Sequence, residues 1–258
     1  MRDVDVIVVH YKTQECTERA IASALPEECL RRVIVVDNHS GDGSCEHLQR
    51  RFAAAPVTFL PQNENLGFGT ACNRGARLAR GDFLFFLNSD ALVQPSCLAL
   101  LRAKLEQRPD IGLVAPDVYR ADGQTLQSDA QGIFPTAGRI LARRTRTVLT
   151  TVEPDWVSAV AVMARRVEYL QLGGFSERLF LYYEDVDLCR RYRRSGKTVV
   201  REPAARVIHL GGQSLRSSRE RKRLYYTSQD RYLELNGTPW VGRQLVKLLR
   251  LPYAKLRT

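Results

Sequence analysis

Four short clusters bring together side chains that can do chemistry. Tyr182-Tyr183-Glu184-Asp185-Val186-Asp187 sets three carboxylates at the start of a helical pattern. At about 100° per residue, Val186, Leu188, Cys189 and Tyr192 gather on one face. Asp185 falls near the middle of that face, Glu184 about a quarter turn away, and Asp187 and Arg191 point elsewhere. An inward carboxylate either caps the helix or faces a cleft as a general base, because unpaired buried charge is costly. In Leu87-Asn88-Ser89-Asp90 an apolar run opens into an acidic turn. Asp90 is either a plain turn residue or a ligand for a divalent cation, Mg²⁺ or Mn²⁺, completed by substrate phosphates and water. In the third cluster, Val35 to Ser44, Asp37 and Asn38 lead into a Gly/Ser turn. Such a turn can accept hydrogen bonds from a nucleotide base or ribose, or cap the next helix without any ligand. The fourth, Asn63 to Asn73, holds Asn65, Gly67, Phe68 and Asn73, with glycines that let a ligand approach a helix start favourable to anions. Its spacing is not GxGxxG, so a nicotinamide cofactor is not indicated.

The elements that must position these clusters alternate. Strand-like runs over 5–10, 32–37, 57–61, 82–87 and 111–116 are separated by helical stretches over 14–24, 44–54, 68–79 and 95–107. Thr13 is the candidate N-cap of the first helix, and Pro95 fits the first turn of the fourth. Single helices between strands imply parallel pairing through right-handed crossovers, a Rossmann-like open sheet. Ligands of such sheets bind outside the carboxyl ends of the strands, which nominates the chain after His10, after Asp37 and after Leu87. Beyond residue 116 the pattern changes. Asp122-Gly123 signals a hairpin over 118–126, and 129–155 reads as a long loop. Strands are expected at 156–165, 198–200 and 206–209, and helices at 184–195 and 217–236. With no clear linker before residue 237, the expectation is one α/β domain over 1–236 and a basic tail over 237–258.

The 258 residues include 39 Lys and Arg against 28 Asp and Glu, a net charge of +11. Residues 190–258 hold 18 basic and 4 acidic side chains, so a near-neutral body carries a strongly basic last third. That asymmetry points to an anionic partner: nucleic acid, a phospholipid surface or a phosphate-bearing substrate. In the tail, Val241, Leu245, Leu248 and Leu249 recur at helical spacing after Trp240, with Arg243, Lys247 and Arg250 interleaved. Such a segment either lies on an anionic membrane surface or packs its leucines on the domain. No apolar run approaches the ~20 residues of a membrane span, and no secretion signal precedes the first strand. Six cysteines without a CxxC pair read as reduced thiols, so the expected location is cytoplasmic, and the membrane-lying alternative for the tail would add a peripheral contact at the inner face of the plasma membrane.

In order and spacing, the four clusters resemble the family-2 inverting glycosyltransferases of the GT-A fold, above all the bacterial rhamnosyltransferase-like branch. The likeness spans residues 4–236 and includes Gly173-Gly174-Phe175 and His209-Leu210-Gly211-Gly212-Gln213-Ser214. It implies a mostly parallel mixed sheet flanked by helices, and a sugar, rhamnose or another deoxyhexose, moved from a dTDP- or UDP-linked donor. The implied acceptor is a saccharide or polyprenyl-diphosphate-linked saccharide of cell-surface polysaccharide synthesis. Asp37 would hold the base or ribose, and His10, Tyr11, Asn38, Asn65, Gly67, Phe68, Asn73, Asn88 and Ser89 would line the donor pocket. Asp90 and His209 would meet the cation, although Asn88 stands where the family's Asp-x-Asp metal motif has its first acid. Asp185 would be the catalytic base, with Glu184 beside it. Transfer with inversion needs one base for the acceptor hydroxyl and positive charge on the departing diphosphate. The competing reading is a non-catalytic nucleotide- or nucleic-acid-binding protein using the basic third. The aromatics there (Tyr225, Tyr226, Tyr232, Trp240, Tyr253) form no RNA-binding signature, so nucleic acid is not expected as a partner.

Overall fold

The computed structural model describes residues 3–142, 151–211 and 218–255. The first half alternates β1 (Val4–His10), α1 (Gln14–Ala24), β2 (Leu30–Asp37), α2 (Ser44–Arg51), β3 (Val57–Pro61), α3 (Phe68–Leu78) and β4 (Phe83–Asn88). A short β5 (Ala91–Val93), α4 (Cys97–Gln107) and β6 (Ile111–Tyr119) follow. The second half contains β7 (Gln131–Gly132), α5 (Ala137–Leu141), β8 (Trp156–Val157), β9 (Ala161–Arg165) and α6 (Arg166–Gln171). It closes with α7 (Glu184–Arg194), β10 (Thr198–His209), α8 (Ser218–Leu235) and α9 (Trp240–Lys255).

Eight strands form one sheet in the order β3-β2-β1-β4-β9-β6-β10-β5, mostly parallel, with β9 and β5 running against their neighbours. The apolar runs are buried on both faces, as parallel strands between helical layers must be. On one face Ile21 of α1, Leu48 of α2 and Leu98 and Leu101 of α4 pack on Val6, Val33 and Phe85. On the other, Cys72 and Ala76 of α3, Tyr169 of α6 and Leu188 and Tyr192 of α7 cover Ile7, Leu84 and Phe86. A third cluster joins α5, α7, α8 and α9 through Ile140, Val186, Tyr232, Leu233 and Val246.

This topology fixes where ligands can sit. β2 lies on one side of β1 and β4 on the other, so the crossovers diverge at the carboxyl ends of β1 and β4. Because β9 runs antiparallel, its start reaches the same edge, where the Asn88 amide donates to the Val160 carbonyl at 2.9 Å. β10 ends there too, and its register pairs His209 with Ala91, next to Asp90.

Several local expectations change. The strands expected at 198–200 and 206–209 are one strand, β10, with a register irregularity between Glu202 and Arg206 that lets it bend and continue. The Asp122-Gly123 turn forms, Asp122 accepting the Gln124 and Thr125 amides, but its arms pair through one bridge, Tyr119 to Leu126. The stretch from 129 is not all loop: β7 pairs with β8 and α5 follows, while 143–150 lie outside the described residues. Thr13 does not cap α1, because its hydroxyl donates to Ser89 Oγ at 3.2 Å. Helix α4 begins at Cys97, after Pro95, and the Glu27 carboxylate accepts the Ser96 and Leu98 amides at 2.8 and 2.9 Å.

Candidate active site

A cavity of about 540 Å³ opens at that edge of the sheet. Val9 and Tyr11 line it from the end of β1, Asn38 from the end of β2, and Asn88, Ser89 and Asp90 from the end of β4. Ser158 to Val160 enter from the start of β9, His209 from β10, and Phe180 to Val186 from the approach to α7. Tyr225 of α8, Trp156, Ile133 and Pro135 complete an apolar wall.

The loop before α3 is held by side-chain hydrogen bonds to side chain and backbone. Asn38 donates to Asn65 Oδ1 at 3.0 Å and accepts the Leu66 amide at 2.9 Å. Gly67 has φ +79°, and a Cβ there would lie 2.2 Å from the Phe180 carbonyl oxygen, so only glycine fits. Phe68 donates its amide to that same carbonyl at 2.9 Å, tying the two cavity walls together.

Three of the sequence candidates sit behind this wall. His10 is fully buried, with Nδ1 2.8 Å from Thr17 Oγ1 and Nε2 2.7 Å from Ser44 Oγ. Ser44 gives its own proton to Asp42, so His10 donates through Nε2 and accepts from Thr17 through Nδ1. Burial lowers its pKa, which keeps the ring neutral. Asp37 turns into its own loop, accepting the Ser40 hydroxyl at 2.6 Å and amide at 3.2 Å. Asn73 accepts the Tyr169 hydroxyl and the Phe175 amide and donates to the Phe175 carbonyl, latching the Gly173-Gly174 turn onto α3. None of the three lines the cavity, whereas Tyr11, Asn38, Asn65, Gly67, Phe68, Asn88, Ser89, Asp90, Glu184, Asp185 and His209 do.

Asp90 and His209 meet at the cavity edge, Oδ1 to Nε2, at 3.2 Å. His209 Nδ1 lies 2.9 Å from Gln127 Oε1, an acceptor, so Nδ1 carries the proton and Nε2 turns toward Asp90. Among the described residues no three His, Cys, Asp or Glu side chains cluster into a closed metal cage. Two protein ligands with the rest supplied by phosphate and water is the arrangement a Mg²⁺ or Mn²⁺ ion takes when it bridges a diphosphate. The donor set therefore fits such a cation.

The acids of α7 divide by environment. Tyr182 and Tyr183 both hold positive φ, 71° and 68°, and this paired left-handed turn aims the helix start into the cavity. The turn is pinned by α8: Tyr183 donates to Tyr225 at 2.9 Å, Gln229 donates to Tyr183, and Ser228 donates to the Leu181 carbonyl at 2.6 Å. Asp185 is half-buried and accepts the Val186 amide at 2.7 Å and the Ala159 amide at 3.2 Å. Burial raises its pKa, and these two donors oppose the rise. Glu184 is buried, and one carboxylate oxygen has no hydrogen-bond partner. Burial, and then the charge of Asp185, push its pKa well up. Burial thus favours the neutral form of Glu184, whereas the Val186 and Ala159 amides favour the charged form of Asp185. Asp187 is also buried, but it pairs with Arg191 at 2.8 Å and does not line the cavity.

Gln127, Trp156 and Tyr225 belong to the site without standing in any of the four sequence clusters. Gln127 reaches His209 across 82 residues of chain, and no local pattern carries that pairing. Tyr182 and Tyr183 stood in the acidic motif, but their role as cavity wall depends on the left-handed turn.

The family described as Glycosyl transferase family 2 matches residues 5–168. The chain is 31% identical over 237 residues to the N-acetylglucosaminyl-diphospho-decaprenol L-rhamnosyltransferase of Mycobacterium tuberculosis, covering 81% of this chain and 76% of that one. It is 22% identical to Rhamnosyltransferase WbbL of Escherichia coli K12, covering 83% and 86%. Among solved structures, the mannosyltransferase PcManGT from Pyrobaculum calidifontis, in complex with GDP-Man and Mn²⁺, superposes with a TM-score of 0.65 at 17% identity, over 99% of this chain and 76% of that one.

Proposed function

This chain belongs to glycosyl transferase family 2, and on that premise we propose that it moves rhamnose, with inversion, from a nucleotide diphosphate to a polyprenyl-diphosphate-linked saccharide. Its mixed sheet is the GT-A fold, and it is a glycosyltransferase of the rhamnosyltransferase-like branch of polysaccharide synthesis. The observation that carries the finer reading is one cavity lined both by the Asp90–His209 pair and by Asp185. The mycobacterial relative's name supplies the acceptor class, an N-acetylglucosaminyl diphosphate on a polyprenol, and the sugar. A dTDP-linked donor is the first expectation and a UDP-linked one the second. The six cysteines are free thiols, which suits a cytoplasmic enzyme.

In this reading the acceptor hydroxyl attacks the anomeric carbon as Asp185 takes its proton, and the bond from that carbon to the diphosphate oxygen breaks on the opposite side. Asp185 is held for this by the Val186 and Ala159 amides, which keep its lone pairs directed and its charge solvated. Asn38, Asn65 and the loop through Gly67 shape the nucleotide side, while Trp156, Tyr182 and Tyr225 give an apolar face against which an acceptor sugar can lie. Asp90 and His209 would hold the divalent cation, whose charge offsets that of the leaving diphosphate.

A thermal-shift screen of dTDP, UDP and GDP with and without Mg²⁺ or Mn²⁺ tests the donor half. A ligand that binds the native state alone raises its melting temperature. The expected result is stabilisation by dTDP or UDP that needs the cation and is lost in Asp90→Ala, with the ligand-free melting temperature of the variant unchanged. Equal stabilisation of variant and parent would remove Asp90 from the cation site.

A further inference from the structure

Helix α9 turns its more apolar side to solvent. Trp240, Val241, Leu245 and Leu248 are 66%, 60%, 46% and 57% exposed, and at 100° per residue they fall within one sector of the helix, which Gln244 shares. The opposite side meets the domain through Val246, fully buried, and through charge. Arg250 pairs with Asp230 at 2.8 Å and donates to Gln229 at 2.6 Å, and Arg243 lies 3.8 Å from Glu234. An amphipathic helix on a soluble protein is normally oriented the other way, apolar side inward. Here α8 takes the arginines and leaves the Trp/Val/Leu stripe outward.

We infer that this stripe is a membrane-docking surface for an anionic phospholipid bilayer. Charge decides among occupants. Arg219, Arg221, Lys222 and Arg223 are exposed on the first turns of α8. The Arg250 contacts with Tyr226 and Gln229 show that α8 and α9 run antiparallel, so this basic stretch lies at the end of the pair toward which α9 continues. A second copy of the chain would bring the same +11 charge to the contact, whereas an anionic lipid surface complements it. Trp240 opens the stripe, and indole rings favour the headgroup boundary of a bilayer. No helix among the described residues is long and apolar enough to cross a membrane, so the contact is peripheral. The location also has a use: Tyr225, less than one turn beyond Lys222 to Arg223 on α8, lines the catalytic cavity. A bilayer under α8 and α9 would therefore lie beside the acceptor wall. The purpose rests on the lipid-linked acceptor proposed above, but the surface itself is read independently of it.

The test is co-sedimentation of the full chain with phosphatidylcholine vesicles and with vesicles containing phosphatidylglycerol. Three proteins are compared: the parent, a Trp240→Ser/Leu245→Ser/Leu248→Ser variant, and one with Arg219, Arg221, Lys222 and Arg223 changed to Gln. The parent should bind the anionic vesicles and not the neutral ones. The apolar variant should lose roughly tenfold or more in bound fraction, and the basic variant should lose the preference for anionic lipid. The exchanged side chains are exposed, so melting temperatures and nucleotide-dependent thermal shifts should match the parent's. Those shifts also separate the outcomes: loss of vesicle binding with intact nucleotide stabilisation concerns the surface and not the transferase site. Failure of the parent to bind anionic vesicles, or equal binding by the apolar variant, would overturn the inference. So would sedimentation velocity showing a parent dimer that the apolar variant abolishes, since a second copy would then cover the stripe.

Discussion

At the scale of single residues, the site depends on three neighbouring acids being made unequal. Asp187 is neutralised by Arg191, Glu184 is driven toward its protonated form by burial, and Asp185 is kept available by two amide donors. Asp185→Asn preserves shape and removes basicity, so turnover should fall by ~10²-fold or more while nucleotide stabilisation persists. Glu184→Gln should cost less, because the neutral amide resembles the protonated acid it replaces. The same variant has a stability signature. Glu184 has an ordinary pKa of 4.5 in the unfolded chain and a raised one in the fold. Between those values the native state binds one proton more than the unfolded state, so parental stability falls as pH rises through that window. Glu184→Gln removes this penalty, and chemical denaturation should show it gaining on the parent as pH is raised above about 4.5. A difference that does not change with pH would mean Glu184 is ionised in the fold. In the proposed cation site Gln127 would position His209 and would not itself be a ligand. Gln127→Ala frees the His209 tautomer and should weaken Mn²⁺ binding roughly 10-fold or more, read by electron paramagnetic resonance without any substrate. Unchanged affinity would show that the Gln127 contact does not orient His209.

At the scale of elements, the parts most legible in the sequence were those governed by local period and by chain order. β1 to β4 follow from their apolar runs, and the rule that ligands bind outside the carboxyl ends of strands nominated the chain after His10, Asp37 and Leu87, the edge where the cavity opens. The acidic turn after β4 and the helix face carrying Asp185 were legible for the same reason. What was not legible depends on long-range contact. The wheel could place Asp185 inward, but it could not show that Ala159 of another segment would donate to it. Strand-end residues such as His10 and Asp37 looked equivalent to Tyr11 and Asn38, yet His10 turns to Thr17 of α1 and Ser44 of α2 and Asp37 into the loop before α2, whereas the second pair faces the cavity. Only the packing of that loop distinguishes them. Asn73 similarly follows the helix into the core, where the Phe175 backbone claims both ends of its amide. Gly67 gives this scale its test. With positive φ and the Phe180 carbonyl where a Cβ would stand, Gly67→Ala must shift the loop or the approach to α7. The expected cost is about 1–3 kcal/mol or more from the backbone alone, read as a lower denaturation midpoint, together with weaker nucleotide stabilisation. An unchanged midpoint would mean the two walls are not locked together at Phe180.

At the scale of the whole molecule, charge and chemistry are segregated along the chain. The near-neutral sheet carries the cavity, and the basic last third supplies α8, which pins the Tyr182-Tyr183 turn on one side and receives α9 on the other. The apolar cavity wall at Tyr182 and Tyr225, the proposed base Asp185 and the proposed lipid-facing stripe are therefore parts of one mechanical unit, and α8 links them. Salt should separate their contributions. Vesicle binding should weaken steeply as ionic strength rises and the Debye length shrinks below ~10 Å, whereas cation-dependent nucleotide binding inside the cavity should change far less. The central claim, that Asp185 drives inverting transfer from a nucleotide-linked sugar, is tested most directly by single-turnover transfer. The assay pairs dTDP-rhamnose with a polyprenyl-diphosphate-linked N-acetylglucosamine, comparing the parent with Asp185→Asn at matched donor occupancy and determining the product's anomeric configuration. The account predicts inverted product from the parent and a rate lower by ~10²-fold or more for the variant with donor affinity unchanged. Near-parental transfer by Asp185→Asn, or retention of configuration, would contradict it.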